Sequence, residues 1–156
     1  MHRIIAVVDL FSPECVVAEV AWATVRRHGG EMIFFAMFDH LSHVPDESHI
    51  ASSSSERFVR IEAFLLERLK QHVASRGIHD VSCAILSGNP GEELNRIARD
   101  WGADLIMADR NTARVLHNGW VPFLSSLTPL PCKIHIVPPE RKGRMSRVLH
   151  LLGMPW

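Results

Sequence analysis

The chain has 156 residues, a length typical of one domain. Its 17 Lys and Arg residues balance 17 Asp and Glu residues, so no net field draws it to nucleic acid or to anionic lipid. Its three cysteines are odd in number and form no CxxC pair, which argues against a disulfide framework and against a structural zinc site. The apolar run after Met1 is broken by Asp9 and is too short for a membrane span. These features predict a soluble, cytoplasmic protein.

Apolar runs of strand length alternate along the chain with amphipathic runs of helix length. The apolar runs predict five strands, at residues 4–9, 32–38, 81–86, 104–108 and 133–137. The amphipathic runs predict helices at residues 12–29, 53–76 and 89–102, with a short one at 121–127. Right-handed crossovers between parallel strands then give an α/β fold, a doubly wound sheet with helices on both faces.

Helix starts are marked by a capping residue followed by proline and an acid. Ser12, Pro13 and Glu14 form one such set, and Asn89, Pro90 and Glu92 form another. In the last predicted strand, Ile134 and Ile136 alternate with His135. This alternation is typical of an edge strand with one less buried face.

Taken in order, four segments resemble the universal stress protein family. They are IIAVVD-x-x-S near the start, RRHGGEMIFFAMF, SGNPGEELNRIARDWGADLIMA, and PLPCKIHIV near the end. They cover nearly all of residues 1–138, which we therefore take as the domain, with residues 139–156 as a basic and apolar tail. The resemblance implies five parallel strands in the order 3-2-1-4-5. It also implies a ligand crevice between strands 1 and 4, and a homodimer formed through the strand Lys133–Val137.

Nucleotide-binding members of this family carry a glycine motif after the fourth strand. The motif is Gly-x-x-Gly, nine residues, then Gly-Ser or Gly-Thr, and its glycines let backbone N–H groups approach phosphates. Here the first pair of glycines is replaced by Ala108 and Asn111 or, shifted by one residue, by Asp109 and Thr112. The second pair falls on Val121 and Pro122 or on Pro122 and Phe123. Gly119 is followed by Trp120 and does not restore the motif.

The altered motif disfavours ATP binding in the family's usual manner, and we expect no resident cofactor. Asp109 would place a negative charge beside a polyanion, and two like charges about 4 Å apart repel by about 4 kcal/mol at an effective dielectric near 20. Arg110 and Arg114 would offset part of this repulsion, which leaves a smaller nucleotide such as AMP, or another anion, open.

The candidate cofactor-binding residues are Asp9, Asp109 and Asn111. Asp9 matches the family's aspartate at the end of strand 1, which contacts the nucleotide in binding members. The alternative is that Asp9 caps the first helix or orders the turn after the strand. Leu10 and Phe11 stand where small or polar residues are usual in the family, and they would narrow the crevice.

No catalytic residues are assigned, because no nucleophile and base can be paired, and we expect no enzyme. The cysteines lie in apolar surroundings, which raise a thiol pKa. The loop His40–His49 contains histidines and carboxylates, but their spacing matches no rigid ligand motif, so we expect no metal site. The tail would contact its own domain or the other protomer in preference to a membrane or an unknown protein partner.

The leading hypothesis is therefore a homodimeric, non-enzymatic stress-response regulator with weak or absent ATP binding. The alternative is a sensor of a nucleotide (AMP or ATP) or another small ligand, which would bind in the crevice at Asp9 and Asp109.

Overall fold

A computed structural model of the chain describes residues 2–38, 54–118 and 132–139. The elements in chain order are β1 (His2–Val7), α1 (Val17–His28), β2 (Gly30–Met37), α2 (Ser54–Ala74), β3 (Ser82–Leu86), α3 (Pro90–Trp101), β4 (Leu105–Ala108), α4 (Arg110–Asn118) and β5 (Lys133–Ile136). All five predicted strands are present, and their bounds lie within two residues of those predicted.

The five strands form one parallel sheet in the order β3-β2-β1-β4-β5, which confirms the predicted 3-2-1-4-5 topology. Val7 in the central strand β1 lies opposite Phe35 of β2 on one side and Ala108 of β4 on the other. The winding direction reverses between β1 and β4. At such a switch point the two following connections leave on opposite faces of the sheet and open a crevice at the carboxyl ends of the strands.

Two apolar layers cover the sheet. Alternate residues of β1 point to opposite faces, so Ile4 packs with α1 and α2, whereas Ile5 packs with α3 and α4. Both isoleucines are at most 1% exposed. The central strand is thus buried on both faces, as its continuous apolar run predicted.

The ends of α3 confirm the predicted caps. Asn89 Oδ1 accepts a hydrogen bond from the N–H of Glu92 at 3.3 Å, and Pro90 occupies the first turn. At the other end, Gly102 adopts a left-handed conformation and its N–H bonds to Ala98 O.

The predicted start of α1 is wrong. Ser12 does not cap the helix, which begins at Val17 after a residue without a side-chain cap. The Ser12 N–H bonds to Asp9 O, and the Cys15 N–H bonds to Ser12 O, so this segment forms successive turns. Because these turns bury the Cys15 side chain in the core, the helix begins one turn later than the local capping pattern predicted.

α4 was not predicted from the sequence, since residues 110–118 were read only against the glycine motif. The predicted helix at 121–127, the loop His40–His49 and the tail from residue 140 lie outside the described residues. Within the described ranges, every helix is too short or too polar to cross a lipid bilayer.

Candidate functional site

The crevice at the switch point is bordered by Asp9 and Asp109. Asp9 follows β1 by two residues, and Asp109 directly follows the neighbouring strand β4. Both side chains are half-buried. The structure therefore places two of the three predicted site residues at the same edge of the sheet, on adjacent strands.

The Asp9 carboxylate orders its own turn. Its Oδ1 accepts a hydrogen bond from the N–H of Phe11 at 3.0 Å, an Asx-type contact two residues on. It does not cap α1, which begins eight residues later. Leu10 packs against the core, whereas Phe11 is 59% exposed, so an aromatic ring stands in solvent beside this carboxylate.

The Asp109 carboxylate caps α4. Its Oδ1 accepts the N–H of Thr112 at 2.7 Å, and its backbone oxygen accepts the N–H of Ala113 at 2.9 Å. This is the geometry of an N-cap residue, whose side-chain oxygen satisfies one of the free N–H groups in the first turn. A carboxylate therefore occupies the helix N-terminus at which a bound anion would otherwise be stabilised.

Asn111, the third predicted site residue, lies in the first turn of α4 with its side chain exposed. Arg110 and Arg114 are exposed on the same helix. Among the described residues, no ion pair joins either arginine to Asp9 or Asp109. Within those residues, the crevice thus presents two carboxylates without a paired cation.

Cys15 is buried in the turns that follow Asp9, and the charges of both carboxylates affect its thiol. Burial raises the pKa of its thiol, hydrogen bonds from the backbone of Val17 and Asp9 oppose that shift, and the negative charges of Asp109 and Asp9 add to it. Both carboxylates therefore act electrostatically on one buried sulfur. A thiol whose pKa is raised stays protonated and is a poor nucleophile at neutral pH.

Sequence reasoning missed the capping role of Asp109 and the place of Cys15. The sequence contained a signal for this cap: the apolar residues Ala113 and Leu116 lie three apart, as on one face of a helix, and they follow Asp109, a good N-cap residue. Both are buried in the structure. No comparable signal existed for Cys15, because only the fold brings it to both carboxylates.

The described residues contain no group of three or more His, Cys, Asp or Glu side chains arranged to hold a metal ion. The thiols of Cys83 and Cys132 also have their pKa raised, in both cases chiefly by burial.

The comparisons with known proteins agree with this architecture. The model of the universal stress protein family matches residues 1–117, three quarters of the chain. The chain belongs to the universal stress protein family. No curated protein matches the sequence significantly.

Solved structures share the fold at low sequence identity. A universal stress family protein from Burkholderia pseudomallei superposes with a TM-score of 0.52 at 17% identity, covering 87% of this chain and 95% of that one. A universal stress protein in complex with cAMP gives 0.54 at 14% identity, covering 89% and 98%. UspA from Lactobacillus plantarum gives 0.50 at 18% identity, covering 87% and 97%. At these identities the likeness establishes the fold alone.

Proposed function

We propose that this chain is a non-enzymatic, homodimeric regulator of the stress response that does not bind ATP through a glycine loop. The observation that carries the proposal is the cap of α4. Where nucleotide-binding relatives place a flexible glycine loop, this chain passes from β4 directly into a helix that begins at Arg110. The N–H of Thr112 is already bonded to a carboxylate.

Electrostatics and sterics both disfavour a triphosphate in this crevice. A phosphate at the N-terminus of α4 would displace or adjoin the negative charge of Asp109, and Asp9 adds a second charge at the neighbouring strand. We expect the exposed ring of Phe11, two residues after Asp9, to narrow the approach to the crevice. The Arg110 and Arg114 side chains are exposed, where salt screens their attraction for an anion.

The proposed lack of catalysis is supported by the chemistry of the crevice. General acid–base or covalent catalysis needs a nucleophile or base whose pKa is matched to its task. The Cys15 thiol is buried and its pKa is raised, so it is a poor nucleophile at neutral pH. The two carboxylates are engaged with backbone N–H groups, at Phe11 and Thr112.

The proposed homodimer forms through β5. Among the described strands, this one pairs with β4 alone and lies at the edge of the sheet, where the outer backbone groups of a strand can pair with a second strand. Ile136 on this strand is 46% exposed, and Val115 of the adjacent α4 is also exposed. Pairing two such edges would cover both apolar side chains.

A second function, a nucleotide sensor, is favoured by one observation: a structure with the same fold was solved in complex with cAMP. A thermal-shift panel of ATP, AMP and cAMP separates the two functions, because any ligand that binds the folded state raises its melting temperature. The regulator predicts no shift with any of the three. A shift that Asp9→Ala abolishes would support the sensor and overturn the regulator.

A further inference from the structure

The opposite edge of the sheet, at the amino ends of the strands, contains a half-open cavity of about 500 Å³. The cavity exists because the amino end of β2 extends beyond the amino end of β3. The β2 ladder with β1 starts at Gly30, but its ladder with β3 starts only at Ile33. Gly30, Glu31 and Met32 therefore project past β3. We call the cavity beside them the amino-edge notch, and its volume is in the range of small-molecule sites.

Aromatic side chains from both faces of the sheet reach the amino-edge notch. Trp22, in the middle of α1, packs with the core on one face, and Trp101, the last residue of α3, packs with the core on the other. Both indoles are half-buried. They are held by the core and expose part of their surface to the cavity.

Carboxylates line the same cavity. Glu31 and Asp80 both contribute to it, together with His79. Glu31 lies 3.9 Å from the guanidinium of Arg3, an exposed and therefore weak ion pair. Among the described residues, Asp80 makes no ion pair. Two carboxylates against one guanidinium leave an excess negative charge.

A cation of the chain already contacts one of these two indoles. The Arg3 guanidinium lies 5.8 Å from the centre of the Trp101 ring and donates a hydrogen bond of 2.6 Å to the Trp101 carbonyl. Indole faces attract cations because of their electron-rich surface. Trp22 has no such cation among the described residues.

We propose that the amino-edge notch binds an organic cation, an amidinium, guanidinium or ammonium group carried on a flat apolar body. The apolar body would lie against the two indoles, and the charged group would face Asp80 and Glu31. Anions are disfavoured by the same carboxylates. This site is therefore distinct in position from the crevice at Asp9 and Asp109.

Three probes of one shape and different charge test the proposal: benzamidine (cation), benzamide (neutral) and benzoate (anion). Each is titrated into the ¹⁵N-labelled chain, at a pH where imidazoles are ordinarily neutral. We expect benzamidine to shift the indole N–H signals of Trp22 and Trp101 and the amides of residues 80–82, with saturation. Benzamide should bind at least about threefold more weakly and benzoate more weakly still, as the loss of one exposed charge interaction implies.

Asp80→Asn is the matched variant. Asp80 has a φ of 61°, a left-handed conformation that Asn tolerates about as well as Asp, so the backbone is retained. We expect this change to weaken benzamidine binding about three- to fivefold and to leave benzamide binding unchanged. The control is Asp109→Asn at the opposite edge of the sheet, which should leave benzamidine binding as in the parent.

Three results would overturn the proposal. One is equal affinity for the three probes, and another is an equal loss of benzamidine affinity in Asp80→Asn and Asp109→Asn. The third is the absence of saturable shifts at these residues with about 20 mM benzamidine, roughly twenty times the dissociation constant of about 1 mM that is typical of a weak fragment site.

Discussion

The imidazole of His72 has a buried Nε2 without a hydrogen-bond partner among the described residues. Burial, and secondly the positive charge of Arg76, lower the pKa of this side chain from 6.5 to about 4. A protonated His72 would carry a charge into a poorly solvated site. The residue is thus accommodated only in its neutral form.

The first prediction concerns stability in acid. The folded pKa of His72 lies below the unfolded value of 6.5, so the unfolded chain binds more protons between the two. The His72 contribution to stability is complete above the unfolded pKa and is lost as the pH falls towards 4. The full shift corresponds to about 3 kcal/mol, and because the ring is only half-buried we expect about 1–2 kcal/mol.

Urea unfolding at several pH values measures this effect in the parent and in His72→Gln. The variant cannot titrate at this position, so its stability should fall less steeply between pH 6.5 and 4. The control is His79→Gln, since that imidazole is exposed and lies next to β3, at the opposite edge of the sheet from β5. Parallel pH profiles for the parent and His72→Gln would refute the prediction.

At the scale of elements, the turn between α1 and β2 depends on two glycines with different constraints. Gly29 has a φ of 74°, and a Cβ added there would meet no atom within 4 Å. Gly30 has a φ of 138°, and its Cβ would collide with the backbone carbonyl oxygen of His2 on the neighbouring strand. Gly30 therefore permits close approach of β1 and β2.

The second prediction compares alanine at these two positions. Gly29→Ala should cost about 1–3 kcal/mol, because the φ of 74° and ψ of 160° at this position lie in a region that is accessible essentially only to glycine, and the added Cβ makes no clash. Gly30→Ala should cost clearly more, since the start of β1 or β2 must also move. Chemical denaturation of both variants measures the difference. Equal losses would mean that the strand ends adjust to the added methyl group without cost.

The sequence predicted the elements whose signal is local and is not opposed by a tertiary contact. The β1 run is apolar at every position because both faces are buried, and α3 carries its cap at Asn89 and its stop at Gly102. Each of these signals acts within a few residues. The strand order could then be expected from the family resemblance.

The failures arose where a tertiary contact outweighed a local pattern. Ser12, Pro13 and Glu14 form a plausible helix start, but hydrogen bonds to Asp9 and the burial of Cys15 keep this segment in turns. At the candidate site, the missing glycine motif was readable from the sequence. The helix that replaces this motif, with Asp109 as its cap, was not predicted, because residues 110–118 were compared only with the glycine motif and not with a helix pattern.

At the scale of the whole molecule, the two ends of the sheet differ. The carboxyl end holds the crevice with Asp9 and Asp109, and the amino end holds the amino-edge notch with its two indoles. Among the described strands, β5 lies at the edge of the sheet. The two proposed ligand sites and the proposed dimer contact thus lie at three separate places on one sheet.

The third prediction concerns assembly. Ile136→Lys places a charge on the exposed edge of β5 and should weaken the proposed dimer at least about tenfold, because an unpaired charge would be buried in the contact. The control is Val59→Lys on α2, where the side chain is 67% exposed and lies away from β5. Sedimentation velocity over a concentration series measures both. A parent that is monomeric throughout, or an Ile136→Lys variant that dimerises as well as the parent, would contradict dimerisation through β5.

The central claim is that the carboxylate of Asp109, which caps α4, prevents a phosphate group from binding in the crevice. Calorimetric titration of ATP with Mg²⁺ into the parent chain tests it most directly, with Asp109→Asn as the comparison, because asparagine keeps the cap and removes the charge. The account predicts no saturable heat below about 1 mM ATP for the parent and tighter binding by Asp109→Asn. Micromolar binding of ATP by the parent would contradict it.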